Sequence, residues 1–122
     1  DNIFFDISRL KHVGKNVIIG KTTRIRQPEK VSIGDNTIID DFTYISCAAE
    51  IGNNCHIASN VSISGGKGTF TMGNYSTISN GAYTMVKAIN NLKAYHLYVG
   101  SSCRDLGSRT KRELLEKYKY KF

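Results

Sequence analysis

Residues 31–63 read VSIGDNTIIDDFTYISCAAEIGNNCHIASNVSI, and Ile33, Ile39, Ile45, Ile51, Ile57 and Ile63 fall at every sixth position. An α-helix needs a period near 3.6 and a hairpin strand a period of two, so neither reproduces this grid. The pattern extends in both directions. Upstream it takes in Val13, Ile19 and Ile25, and downstream Met72 and Ile78. Two residues (Val31 and Ser32) and three residues (Thr69 to Thr71) are added where the series break. A small or turn-forming residue follows most of these aliphatics, as at Gly14, Gly34, Asp40, Gly52 and Gly73. Two places ahead of them stands a small or β-branched side chain, as at Thr37, Thr43, Ala49 and Cys55.

Such a grid predicts a parallel β-solenoid with three short strands per coil. Each hexad supplies one flat side and one corner, so about eighteen residues close a coil. Large aliphatics point inward and stack coil upon coil. The small residue lets the corner close, while Gly, Asp or Asn accepts the backbone angles of the bend. The coils are read as 13–32, 33–50, 51–71 and 72–89, with both insertions at one corner. Cys55 occupies the small inward slot and reads as core.

The 122 residues allow one domain. A single Pro and 11 Gly exclude collagen-like and low-complexity classes. No apolar run approaches the ~20 residues that span a bilayer, so no membrane span is expected. No charged start leads into an apolar stretch, so no signal peptide is visible. The three cysteines lack CxxC spacing, which argues against a disulfide framework and for a reducing, cytoplasmic setting.

The net charge of +7 is uneven: residues 1–102 hold ten basic and seven acidic side chains, the last twenty hold seven and three. That basic tail suits a phosphate-bearing partner, or is simply a solvated helix face. No nucleic-acid recognition motif accompanies it, so no nucleic-acid partner is expected. Four segments follow. Residues 1–12 form an N-terminal cap, with Phe4, Phe5, Ile7 and Leu10 covering the first coil; 13–89 form the solenoid. Residues 90–106 are a closing segment. Residues 107–122 are a short C-terminal amphipathic helix, with Ser108 or Thr110 as cap and Leu114, Leu115 and Tyr118 at helical spacing.

With VGKNVIIGKTTRI (13–25), IGDNTIIDDFTYI (33–45) and IGNNCHIASNVSI (51–63), the chain resembles the hexapeptide-repeat acyltransferases. The stretch TMVKAINNLKAYHLYVGSSCR (84–104) is similar to the ending of many of them, a V-x-K-x-I run before a turn and a basic helix. The likeness is closest to the branch that acetylates sugars or nucleotide-linked aminosugars. It implies an all-β, left-handed parallel β-helix of about four coils with a short C-terminal α-helix, assembled as a homotrimer. The implied activity is O- or N-transfer of an acetyl or short acyl group from acyl-CoA to a sugar or nucleotide-sugar acceptor, as in polysaccharide biosynthesis. Acetyl-CoA is then the co-substrate, and no metal is expected.

The resemblance also implies residue roles. Acyl-CoA would lie between neighbouring solenoids, with backbone amides near Gly81 and Ala82 facing the thioester and Lys87 and Arg104 drawing its phosphates. Asp41 would meet the acceptor; Tyr44 would meet a ligand or a neighbouring subunit. His56, outward in the third coil between Ile38 and Thr77, reads as a general base, a ligand contact or an exposed corner. Related enzymes place a second His, their base, about nine residues earlier; here that residue is Cys47. His96 reads as packed and His12 as surface. None of the three histidines has H-x3-H or H-x4-H spacing, so no zinc site is expected. The Gly65, Gly66, Gly68 loop carries no His, and the turn from Gly100 to Cys103 has no Pro. These departures support a second reading, a non-catalytic trimeric scaffold or ligand-binding module.

Overall fold

The computed structural model describes residues 6–65, 68–86, 91–92, 96–99 and 104–108, with side chains described through Ala82. Strands come in threes. The first coil holds β1 (His12–Val13), β2 (Ile18–Ile19) and β3 (Arg24–Ile25); the second holds β4 (Val31–Ile33), β5 (Ile38–Ile39) and β6 (Tyr44–Ile45). The third holds β7 (Ala48–Ile51), β8 (His56–Ile57) and β9 (Ser62–Gly65); the fourth holds β10 (Thr69–Met72), β11 (Thr77–Ile78) and β12 (Tyr83–Val86). Above these lie β13 (Asn91–Leu92), β14 (His96–Val99) and β15 (Arg104–Ser108). Every third strand pairs, giving a first sheet β1-β4-β7-β10-β13, a second β2-β5-β8-β11-β14-β15 and a third β3-β6-β9-β12. All pairings are parallel except β14 with β15. The chain is an all-β parallel β-helix.

The register is the one the hexads dictate. Ile39 sits over Ile19 and under Ile57, which sits under Ile78. Ile45 lies between Ile25 and Ile63 in the third sheet. These side chains are buried, most of them completely. Phe70 is a core residue that the six-residue grid passes over, because it belongs to the added residues before Met72. It is fully buried above Ala49, whose single methyl leaves the room a phenyl ring needs in an otherwise isoleucine-sized prism. Both insertions fall at the corner joining the third sheet to the first. One carries the 3-10 turn Pro28–Lys30, whose Pro28 is buried.

The inward small positions also tie coils together. Thr37 Oγ1 donates to the Gly52 carbonyl at 2.8 Å, and Thr43 Oγ1 to the Ala58 carbonyl at 3.0 Å. A threonine fits this slot because its hydroxyl finds a backbone acceptor one coil on, so no desolvation penalty remains. Cys55 is buried in the same kind of slot and Cys47 at the corner between β6 and β7, and burial pushes both thiols above their ordinary pKa.

At the corner between the first and second sheets runs a ladder of Asx side chains. Asp35 Oδ1 accepts from Lys15 N at 2.8 Å, Asn53 Oδ1 from Asp35 N at 2.7 Å, and Asn74 Oδ1 from Asn53 N at 2.7 Å. Each rung is preceded by glycine for want of space: a Cβ on Gly34 would sit 2.7 Å from the Gly52 carbonyl carbon. Each is followed by a left-handed residue, Asn36, Asn54 and Tyr75 in turn, at a position where Asn is favoured.

The ends differ from the sequence reading. Leu10 is buried against the first coil, whereas Ile7 is 46% exposed; Phe4 and Phe5 lie outside the described residues. At the other end Gly107 and Ser108 belong to β15, so the helix read over 107–122 does not begin there, and residues 109–122 lie outside the described ones. Strand β15 folds back antiparallel on β14 and covers its open edge, and this pairing outweighs helix propensity at Gly107 and Ser108. Among the described residues no helix is long and apolar enough to cross a membrane.

Candidate functional site

The second sheet carries the chemistry. Alternation along β5 and β8 turns Ile39 and Ile57 inward, which sends Asp40 and His56 to the outer face. The register sets Ile38 beneath His56 and Thr77 above it, as the hexad spacing requires. Asp40 lies one coil lower and near the strand end, where its amide donates to the Ile57 carbonyl at 2.9 Å. From there its carboxylate crosses to the imidazole, and His56 Nε2 meets Asp40 Oδ2 at 2.7 Å. The two side chains are 22% and 41% exposed, sheltered yet reachable by a solute.

This contact fixes the tautomer on chemical grounds. A carboxylate only accepts, so Nε2 carries the hydrogen and the neutral ring keeps its lone pair on Nδ1. A His held in this way is an oriented base.

Asp41, the acceptor-contact candidate, does something else. Its Oδ1 accepts from Thr22 N at 3.3 Å and from Thr22 Oγ1 at 3.0 Å, and that hydroxyl accepts from Phe42 N at 2.9 Å. It closes a corner between coils; the carboxylate brought to His56 is Asp40. Sequence spacing held the clue, since Asp40 precedes His56 by sixteen residues, two short of one eighteen-residue coil, which places both on one outward face.

The adjoining corner between the second and third sheets is irregular. Its left-handed position is held by Phe42 (φ 62°), Asn60 (φ 62°) and Gly81 (φ 71°) in successive coils. Phe42 is 66% exposed, and an aromatic residue in that conformation carries backbone strain. Beyond it Tyr44 stacks between Arg24 and Ser62 in the third sheet, with the Arg24 guanidinium 6.0 Å from its ring centre.

Gly81 and Ala82 stand higher on this corner. The Gly81 amide donates to the Ser59 carbonyl at 3.1 Å and the Ala82 amide to the Ser79 carbonyl at 3.3 Å. Both amides thus have a partner within the solenoid. The space above Gly81 is open: a Cβ there would meet nothing within 4 Å. Lys87 and the side chains of Arg104 and His96 lie outside what is described. Cys47 is fully buried and cannot reach a solute. His12 is exposed on the first sheet, beside a shallow groove of about 620 Å³ lined by Lys11, Ser32, Glu50, Asn53 and Thr71, away from the dyad. Among the described residues no three His, Cys, Asp or Glu side chains gather as a metal-binding set.

The family model for the bacterial transferase hexapeptide (six repeats) matches residues 30–65. In structure the chain is similar to a mutant of AntD, an N-acyltransferase from Bacillus cereus, in complex with dTDP and coenzyme A. The TM-score is 0.64 at 21% identity, over 99% of both chains. It is similar to serine acetyltransferase from Brucella abortus in complex with coenzyme A, with a TM-score of 0.66 at 16% identity. That match covers 81% of this chain but 40% of the other. A hexapeptide-repeat containing acetyltransferase from Vibrio cholerae matches with a TM-score of 0.55 at 16% identity, over 85% and 77%. A search of curated protein sequences finds no match. Residues 30–65 match the hexapeptide-repeat model, and the chain has the parallel β-helix fold of these neighbours, consistent with a left-handed coil.

Proposed function

We propose that the protein is an acyl-CoA-dependent O- or N-acyltransferase that moves an acetyl or short acyl group to a sugar or nucleotide-sugar acceptor. The observation that carries this reading is the 2.7 Å contact between His56 and Asp40 on the outer face of the second sheet. Coenzyme A in structural neighbours at similar fold supports the donor, and dTDP in one of them supports a nucleotide-linked acceptor.

In this reading Asp40 holds the ring and His56 Nδ1 takes the proton from the attacking hydroxyl or amine. The acceptor's O or N then bonds to the thioester carbonyl carbon. The C–S bond breaks, and the imidazolium returns the proton to the departing thiolate. General-base assistance of this kind is worth about 10²–10⁴ in rate. Open space at Gly81 accommodates a pantetheine arm, and Lys87 and Arg104 serve the phosphates. The working form is a homotrimer with the site completed by a neighbouring solenoid, since so slender a prism has much surface to cover. Surface-polysaccharide synthesis in the cytoplasm is the setting that suits such an acceptor.

Calorimetric titration with acetyl-CoA at moderate and high salt tests the reading. Saturable binding near one per subunit that survives salt supports it. Absence of binding overturns it and leaves the non-catalytic scaffold.

A further inference from the structure

The corner beside the dyad holds a side chain that folding alone does not explain. Phe42 lies two residues beyond Asp40 in the second coil, with a coil on either side of it. Its φ of 62° puts a bulky aromatic residue in the left-handed region, where such residues are outliers. The next two coils fill the same slot with Asn60 and Gly81, which are at ease there. Burial does not compensate, because Phe42 is 66% exposed.

The conformation is held by the coil below. The Phe42 amide donates to Thr22 Oγ1 at 2.9 Å, and that hydroxyl donates to Asp41 Oδ1 at 3.0 Å. Asp41 Oδ1 also accepts from Thr22 N at 3.3 Å, so the peptide that carries the ring is clamped between two coils. Strain that its surroundings fix in place clusters at ligand clamps and active sites. Here it lies beside the His56–Asp40 contact.

The surroundings decide what the ring meets. Asp40 and Asp41 precede it, Thr22 lies one coil down in register and Asn60 one coil up, all of them polar. Tyr44, round the corner on the third sheet, has the Arg24 guanidinium over its ring. The exposed Ile18 stands one coil down at the start of β2, four residues short of Thr22. A subunit contact draws on a patch of adjoining apolar side chains. A planar base needs one ring face with polar groups around it. Position along the axis then separates two sources of a base. The open space at Gly81 lies in the fourth coil, above His56, and the coenzyme A of the proposed reaction extends that way. Phe42 lies in the second coil, below His56. We propose that Phe42 is the stacking platform for the nucleobase of a nucleotide-linked acceptor, an inference that rests on the transferase reading of the dyad.

The chain has no tryptophan, so Phe42→Trp places a single fluorescent reporter at the proposed contact. Thymidine diphosphate is the probe, and adenosine bisphosphate stands for the base of coenzyme A. The proposal expects thymidine diphosphate to quench Phe42→Trp saturably. By calorimetry it should bind Phe42→Asn on the order of 10-fold or more weakly than the wild type. Adenosine bisphosphate should bind the wild type and Phe42→Asn alike. Asn already occupies this slot one coil up, so loss of fold does not confuse the result. No binding of thymidine diphosphate to the wild type overturns the proposal, as does equal affinity for the wild type and Phe42→Asn, or saturation of Phe42→Trp without quenching. A loss confined to adenosine bisphosphate overturns it by giving the ring to the donor. A smaller assembly of Phe42→Asn overturns it by giving the ring to a subunit contact. Failure of the transferase reading shows separately, as a wild type that does not bind acetyl-CoA.

Discussion

Two corners of the same prism have been put to different uses. Where the first sheet turns into the second, coils two to four repeat one solution: glycine, an Asx side chain hydrogen-bonded to the neighbouring backbone, and a left-handed residue. Where the second turns into the third, the left-handed position runs Phe42, Asn60, Gly81, and a carboxylate beside it reaches for a histidine instead of a backbone amide. A repeat needs only one regular corner to hold its coils in register. The other is then free to vary, and the side chains with chemistry collect there.

The largest expected effect belongs to the irregular corner. Replacing His56 with Ala lowers turnover by about 10²–10⁴ while the melting temperature stays near that of the wild type. A large loss of stability with unchanged turnover would turn the comparison around. Next comes Gly34→Ala on the regular corner. The added methyl lies 2.7 Å from the Gly52 carbonyl carbon, and forced overpacking costs about 1–3 kcal/mol. A lower urea midpoint with intact turnover per folded molecule is the expected outcome.

Asn53→Ala is milder. It removes the acceptor from the Asp35 amide, and the loss of one such bond costs about 1 kcal/mol, or several degrees in thermal unfolding for a chain this size. An unchanged melting point would show that the ladder contributes nothing. The smallest change has the opposite sign. Phe42→Asn puts at φ 62° the residue that Asn60 already supplies one coil higher at the same angle. Relief of left-handed strain should raise stability by about 1 kcal/mol. A fall instead would mean that the phenyl ring buries surface in the assembled protein.

Much of this was legible in the isoleucine spacing. A core one side chain wide leaves each inward position a single neighbour per coil, so periodicity in sequence becomes register in space. That is why the stacking of Ile38, His56 and Thr77 could be read without coordinates. Phe70 escaped the grid because it lies in an insertion, where the period is broken and only the Ala49 below reveals the vacancy it fills. The pairing of β15 with β14 was out of reach for another reason: an unpaired strand edge is a property of the fold, not of residues 104–108. His56 was found from its outward slot. Asp40 was passed over in favour of Asp41 because aspartate is ordinary in a turn, and only the lateral step between coils tells the two apart.

The contact between Asp40 and His56 makes the imidazole an oriented base, and the Asp40 carboxylate is the place to test it. Release of coenzyme A thiol from acetyl-CoA, with a nucleotide-linked aminosugar as acceptor, should be followed for the wild type and for Asp40→Asn. An amide in place of the carboxylate keeps the size of the side chain but gives up the charge and can present a donor to Nε2. The claim predicts unchanged affinity for acetyl-CoA with turnover about 10- to 100-fold lower. Full turnover in Asp40→Asn would contradict it.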